Sequence, residues 1–279
     1  MIDLHLHSLF SDGELSPSDV VKKAKQEGIS VLSLTDHDSI SGMKEAKETC
    51  AQLGIQFIPG VELEAATDIS RSMYIHILGY NFKRTQVLEK YLNNLRQERL
   101  DLIKKYIEKF HQLGIHTNFE EISSLTPGLH KTAYHIPIFL YKNGYYDSFN
   151  SAKEDFINPG SKYYIHRNVY DVKFIINLIL SAGGVPVIAH PHRLPQKGKE
   201  LDSYVSSLKK LGIVGIETYY SEHSDKEIAF YEGLAKKYNL LQTAGSDFHS
   251  PTSSFNMGLS LSNEEQIVEN LLNYKWSDS

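Results

Sequence analysis

Residues 2–13 read IDLHLHSLFSDG, and their alternation is the key to the fold. Ile2, Leu4 and Leu6 take one face of a period-two strand, while Asp3, His5 and His7 take the other. The two histidines fall about 6.6 Å apart along such a strand, close enough for both imidazoles to reach one ion. A helix start follows, with Ser16 as N-cap, Pro17 at the first helical position and Asp19 in the first turn; the helix should stop near Gly28. Ile29 to Leu34 is the next strand and runs into Thr35-Asp36-His37-Asp38. A second helix covers about Gly42 to Leu53 and ends at Gly54. Ile55 to Ile58 and Tyr74 to Leu78 read as further strands. Strands alternating with helices predict a parallel sheet or barrel.

Working outward, the composition excludes several classes. The 279 residues are 41% hydrophobic and 23% charged, which describes a globular α/β protein of one large domain or a barrel with an insertion. A formal charge of −5 excludes a basic protein that coats nucleic acid. No apolar run approaches the roughly 20 residues of a membrane span, and MIDLHLHS lacks the basic start and apolar stretch of a signal peptide. One cysteine, Cys50, cannot build a disulfide framework, so a reducing cytoplasm is expected and Cys50 should be buried and inert.

The middle of the chain reads differently. Val87 to Leu113 has Leu88, Tyr91, Leu92, Leu95, Leu102, Tyr106 and Phe110 at helical spacing. Seven of the 17 tyrosines then lie between Tyr134 and Tyr170, among short pieces rich in Asn, Gly and Pro. These features mark residues 87–164 as an inserted, mainly helical module between an N-terminal part, 1–86, and a C-terminal part, 165–279. The alternating pattern returns with a helix over about Asp171 to Ala182 and strands at Val185 to Ala189 and Val214 to Glu217. A helix from about Lys226 to Tyr238 and a strand over Leu241 to Ala244 complete it, the latter leading into Gly245-Ser246-Asp247.

The 13 histidines acquire meaning on this map. His5 and His7 share a strand face and Asp12 follows in the next loop. His37 lies just beyond the second strand, Glu62 ends Pro59-Gly60-Val61-Glu62, and His76 is in the next strand. His190 closes the Val185 strand, and Asp247 and His249 follow the last one. A single strand histidine is usually a hydrogen-bonded core or surface residue. Nine His, Asp and Glu residues at successive strand ends are a different matter, because in a barrel those ends form one rim. The pattern predicts a metal site.

The runs Asp3-Leu4-His5-Leu6-His7-Ser8, Ser11-Asp12-Gly13, Leu34-Thr35-Asp36-His37-Asp38, Gly60-Val61-Glu62, Ala189-His190-Pro191 and Gly245-Ser246-Asp247-Phe248-His249 resemble the PHP family of metal-dependent phosphoesterases. The likeness extends to Leu95-Arg96-Gln97-Glu98-Arg99-Leu100 and Asn158-Pro159-Gly160, and the pattern is most like the small bacterial nucleoside 3′,5′-bisphosphate phosphatase and 5′-3′ exoribonuclease type. The resemblance implies an α/β fold, a distorted TIM-like (β/α)7 barrel with an inserted helical domain. It also implies two to three divalent ions, Mn²⁺, Fe²⁺ or Zn²⁺. His5, His7, Glu62 and Asp247 would hold the first, and Asp12, His37 and His249 the second. Glu62, His76 and His190 would hold the third, with Glu62 bridging. Mixed imidazole and carboxylate ligands suit those metals better than Mg²⁺. Six neutral imidazoles and three carboxylates leave a net positive site that attracts phosphate and favours a bridging hydroxide as nucleophile. Glu62, Asp247 and His249 would carry the catalytic role.

For substrate, the resemblance points to Arg193 gripping a phosphate through its guanidinium fork, with His223 and His135 as further contacts. Relatives place an Arg-Pro or Arg-Thr pair ahead of the histidine at position 135; here it reads Ala133-Tyr134, and Lys131 is the candidate replacement. His192 stands where relatives often have glycine. The tyrosines could stack a base, but packing the insert is their expected use. His111, His116 and His166 are read as structural or exposed. The expected substrate is a small nucleotide or short oligoribonucleotide, with no membrane and no obligate protein partner. A phosphatase for a monoester such as histidinol phosphate and a catalytically silent metal-binding module are the competing readings.

Overall fold

The structure is a computed structural model and describes residues 1–67, 74–125, 132–252 and 255–275. β1 (Ile2–Leu6), α1 (Pro17–Gln26), β2 (Val31–Leu34), α2 (Met43–Leu53) and β3 (Gln56–Phe57) follow the alternation read from the sequence. Ser16 caps α1 by accepting from the Asp19 amide, and Gly54 ends α2 in the left-handed conformation that glycine adopts without a Cβ penalty. β1, β2 and β3 form a parallel three-stranded sheet.

The next two strands depart from the expected parallel order. β4 (Gly60–Ala66) and β5 (Tyr74–Tyr80) pair antiparallel over their whole length. Only seven residues separate them, whereas a parallel crossover needs a dozen or more, so β5 has to return beside β4. β5 is also antiparallel to its other neighbour, β6 (Val185–Ile188). Between them in sequence lie α3 (Thr85–Gln112), α4 (Phe119–Ser123), α5 (His135–Lys142), α6 (Phe149–Phe156) and α7 (Val172–Ser181). α8 (Gly198–Leu211), β7 (Gly215–Tyr220), α9 (Asp225–Tyr238), β8 (Leu241–Gly245) and α10 (Glu264–Leu272) complete the chain, with β6, β7 and β8 parallel. α8 and α10 were not read from the sequence.

Hydrogen bonds beyond the strand ends close the two sheets into a barrel. The Asp247 amide donates to His5 O at 2.9 Å and the His7 amide to Phe248 O at 3.0 Å, which joins the exit of β8 to β1. On the other side, the Asp38 amide donates to Glu62 O at 2.8 Å and the Glu62 amide to Asp36 O at 3.3 Å. Chain leaving β8 and β2 is thereby pressed against β1 and β4, which gathers their following loops at one end.

Packing orients the site. Val61, Leu63 and Ala65 of β4 and Ile75 and Ile77 of β5 pack in one apolar core with residues of α3, α7, α8 and α9. Strand alternation then turns Glu62, Glu64 and His76 to the opposite face. α3 takes part in two cores. Leu88, Tyr91, Leu92 and Leu95 join that main core, while Leu102, Ile103, Tyr106 and Phe110 pack with Ile122, Ile136, Phe139, Leu140 and Phe156 in a separate one.

Candidate metal centre

All nine residues singled out as ligands meet in one place. Glu62 is the hub. Its Oε2 lies 3.1 Å from His5 Nε2, 3.2 Å from His7 Nε2 and 3.0 Å from His37 Nδ1. Its Oε1 lies 2.8 Å from His76 Nδ1 and 3.0 Å from His190 Nε2. The rings of these five histidines form a closed circuit around it, with neighbouring centroids 4.5 to 5.7 Å apart. His249 stacks on His7 at 4.1 Å and turns Nε2 to Asp12 Oδ1, 3.2 Å away. Asp247 Oδ1 lies 3.0 Å from His7 Nε2 and 3.3 Å from His5 Nε2.

Hydrogen bonding alone does not account for this crowd. A carboxylate offers about four lone-pair sites, and here five imidazole nitrogens compete for one. His7 Nε2 and Asp247 Oδ1, both buried and at contact distance, have no partner in hydrogen-bonding geometry. Two ligands bound at about 2.1 Å to one ion, between right-angle and tetrahedral geometry, are themselves roughly 3.0 to 3.4 Å apart. The observed nitrogen–oxygen separations around Glu62 and Asp247 fall in or near that range. The donor set fits divalent cations.

Donor atoms converge in three groups: His5, His7, Glu62 and Asp247; His7, Asp12, His37 and His249; and His37, Glu62 and His76. The first is the set expected from the sequence. The second adds His7 to the expected trio, and in the third His37 stands where His190 was expected, although His190 still contacts Glu62.

The surrounding residues fix which ring nitrogen faces inward. His5 Nδ1 donates to Glu217 Oε1 at 2.9 Å, His249 Nδ1 to Asp247 O at 2.7 Å, and His7 Nδ1 faces Ser11 Oγ at 3.3 Å. The Nε2 lone pairs of these rings are thus left to the centre. Ser11 is itself held by Asp36, which also accepts from the Ser8 amide at 2.6 Å and hydroxyl at 2.8 Å and so fastens the loop carrying Asp12. Asp3 accepts from the amides of His5, Ser246 and Gly258. Glu217 also accepts from the His190 amide at 2.6 Å. Sequence reading passed over the roles of Asp3, Asp36 and Glu217. The available signal was an acid inside an otherwise apolar strand, Gly215-Ile216-Glu217, since such a residue is seldom fully buried without a partner.

Charge and backbone are tuned around the ligands. Burial alone would raise the Glu62 pKa, but the imidazoles of His37, His5 and His76 outweigh it and hold the carboxyl well below its usual range. Burial opposes a proton on His7, yet Asp247 and Glu62 push its pKa up to about 10, while burial brings His37 down to about 3. His190 and Asp247 adopt positive φ of 24° and 57°, uncommon for residues with a Cβ though most accessible to Asn, Asp and His. Gly245 lets β8 approach β1, since a Cβ there would come within 2.2 Å of His5 Cβ.

The substrate residues expected from the sequence have separate fates. Arg193 donates to Asp247 Oδ2 at 2.9 Å, Tyr220 Oη at 2.6 Å and Glu222 Oε2 at 3.0 Å, which places a half-exposed guanidinium at the edge of the centre. His223 is buried, with Nδ1 donating to Thr218 O at 2.9 Å and Nε2 receiving His192 Nδ1 at 3.1 Å. It orients His192. His135 is buried at the start of α5, its Nδ1 3.0 Å from Thr132 O. Lys131 lies outside the described residues. Cys50 is buried, and burial pushes its thiol pKa up to about 12.

The PHP domain family model matches residues 3–273. The chain belongs to the PHP family. It is 30% identical to a 5′-3′ exoribonuclease of Haemophilus influenzae, over 95% of this chain and 96% of that protein. It is 28% identical to a 3′,5′-nucleoside bisphosphate phosphatase of Chromobacterium violaceum, over 90% and 87%. Among solved structures, the chain is similar to a protein of Bifidobacterium adolescentis described as a metal-dependent phosphoesterase, with TM-score 0.77 and 26% identity over 97% and 95% of the two chains. Among the described residues of this PHP domain, no helix is long and apolar enough to cross a membrane.

Proposed function

We propose that the chain is a metal-dependent phosphoesterase that removes phosphate from a small nucleotide, a nucleoside 3′,5′-bisphosphate, or from the 5′ end of short RNA. The observation that carries this reading is one buried carboxylate, Glu62, encircled by five imidazoles with an exposed arginine beside them. His5, His7, Glu62 and Asp247 would hold one ion, Asp12, His37 and His249 a second, and Glu62, His76 and His190 a third. Such ions supply Lewis-acid polarisation of a phosphoryl oxygen and acidify water near neutral pH. The chain's own part is to aim these ligands through Glu217, Ser11 and Asp36, and to hold substrate phosphate on Arg193. Tyr220, bonded to both Arg193 and Asp247, keeps that fork at the edge of the centre. We read residues 87–164 as a helical insertion in a (β/α)7-type barrel and place the enzyme in the cytoplasm. The second apolar core supports the first assignment and the lone buried cysteine is compatible with the second.

Protein purified without chelators after growth in added Mn²⁺ is expected to carry two to three transition-metal ions per chain. Fewer than one by elemental analysis would rule out the centre as drawn. Turnover of adenosine 3′,5′-bisphosphate well above that of histidinol phosphate is the expected substrate result; the reverse order selects the monoester phosphatase, and no turnover of either selects a silent module.

Arg193→Ala is expected to weaken use of the bisphosphate about ten- to a hundredfold, the worth of one charge-assisted phosphate contact. The loss should fall on KM more than on kcat and be much smaller for p-nitrophenyl phosphate, which has no second phosphate. Equal losses on both substrates would remove the second-phosphate role from Arg193.

A further inference from the structure

A cleft of about 760 Å³ lies beside the metal centre, a size typical of small-ligand sites. Glu64 lines its barrel end, and Tyr134 and Lys153 line its helical end. Glu64 stands two residues beyond Glu62 on the same face of β4, about 6.6 Å along the strand, and pairs directly across with His76. A phosphoester seated at the centre therefore has this cleft as the next space along β4.

The cleft offers an exposed aromatic ring and polar groups of both charges. Arg99, Arg167, Lys105 and Lys153 line this space together with the carboxylates of Glu64, Glu98 and Asp101. Arg99 and Arg167 are held by Asp38 and Glu64. Lys105 and Lys153 form no ion pair with a described residue. Tyr134 is 48% exposed and takes no part in the second apolar core. Phe149 stacks behind its ring at 6.5 Å with an interplanar angle of 15°, and Lys153 Nζ sits 5.4 Å from the ring centroid. Phe149 and Lys153 are one turn apart on α6, so they buttress the ring from the helix side. A large aromatic ring, braced by α6 yet 48% exposed and outside the second apolar core, thus lines the cleft.

We propose that Tyr134 is a stacking platform for the nucleobase of the substrate, making it a specificity-determining residue of this cleft. The proposal rests on the phosphoesterase reading above and deepens it. Stacking tolerates any base, because every base has a π-face, so the cleft selects nucleosides as a class over base-free sugar phosphates.

The test compares adenosine 3′,5′-bisphosphate with ribose 5-phosphate, which lacks a base. Tyr134→Leu is expected to lower kcat/KM for the nucleotide about tenfold or more, through KM, and to leave ribose 5-phosphate unchanged. Tyr134→Phe should restore wild-type behaviour, since the ring and not the hydroxyl does the stacking. Equal losses on both substrates, no loss on the nucleotide, or failure of the Phe variant to restore it would overturn the platform. Adenosine itself, followed by saturation-transfer NMR, gives a readout independent of turnover: the wild type should bind it and Tyr134→Leu should not. If the wild type hydrolyses neither ester but shows that adenosine difference, the phosphoesterase reading fails and the platform stands. If turnover is present and adenosine binds both proteins alike, the platform fails alone.

Discussion

Glu62→Gln is expected to cut turnover of the phosphoester about a hundredfold or more, the largest loss of any single substitution in this chain that nearly preserves shape. The replacement keeps the side chain's outline but removes the charge that five imidazoles face. It also puts an amide NH2, a donor, where a carboxylate oxygen accepts now. Changes just outside a metal's ligands already cost about ten- to a hundredfold, and Glu62 lies inside all of that support with both oxygens engaged. The measurement is steady-state turnover together with metal content. Wild-type turnover in the variant would show that the carboxylate is dispensable.

Glu217→Gln should lower metal affinity about ten- to a hundredfold without touching a ligand. Glu217 is fully buried and accepts from both His5 Nδ1 and the His190 amide. A glutamine has one acceptor oxygen for these two donors, so one N–H must face the new NH2. Either the His5 ring turns, taking its Nε2 away from the centre, or the His190 backbone, already at positive φ, loses its anchor. Competition against a metal-sensitive dye reads the affinity directly, and a melting curve of the metal-free protein separates this effect from general destabilisation. Unchanged affinity would mean that the ring is held in place by packing alone.

Much of this centre was legible in the chain because its ligands sit where strand periodicity can be followed. His5 and His7 alternate with buried leucines, and His37, His190, Asp247 and His249 each follow a short segment that reads as a strand. The order of the strands was less legible. The direction of β5 depends on the length of its connection to β4, and a reading that sees strands and helices alternate elsewhere assigns it the common parallel direction. His76 shows the result: it lies near the start of β5, and because β5 is antiparallel to both of its neighbours, its start comes to the rim where β4 and β6 end. The sharing of ligands depends on side-chain reach, which spacing does not encode, so His37 could replace His190 in one donor group without any sequence signal. Glu217, Asp36 and Asp3 act by holding other residues, and nothing in their local sequence names what they hold.

α3 runs for 28 residues with no glycine or proline to bend it, about 42 Å of continuous helix. Leu95, Arg99, Leu102 and Lys105, which recur along one of its faces, form a wall of the cleft. The near end of that wall is seated on the barrel and the far end in the second core. On the function proposed above, α3 would act as a ruler between hydrolysis and recognition: the distance from the reacting phosphate to whatever identifies the rest of the molecule would be set by a rod, not by a hinge. A lineage of such chains can change the substrates it accepts by exchanging side chains along the graduations, while the chemistry at the zero mark stays as it is.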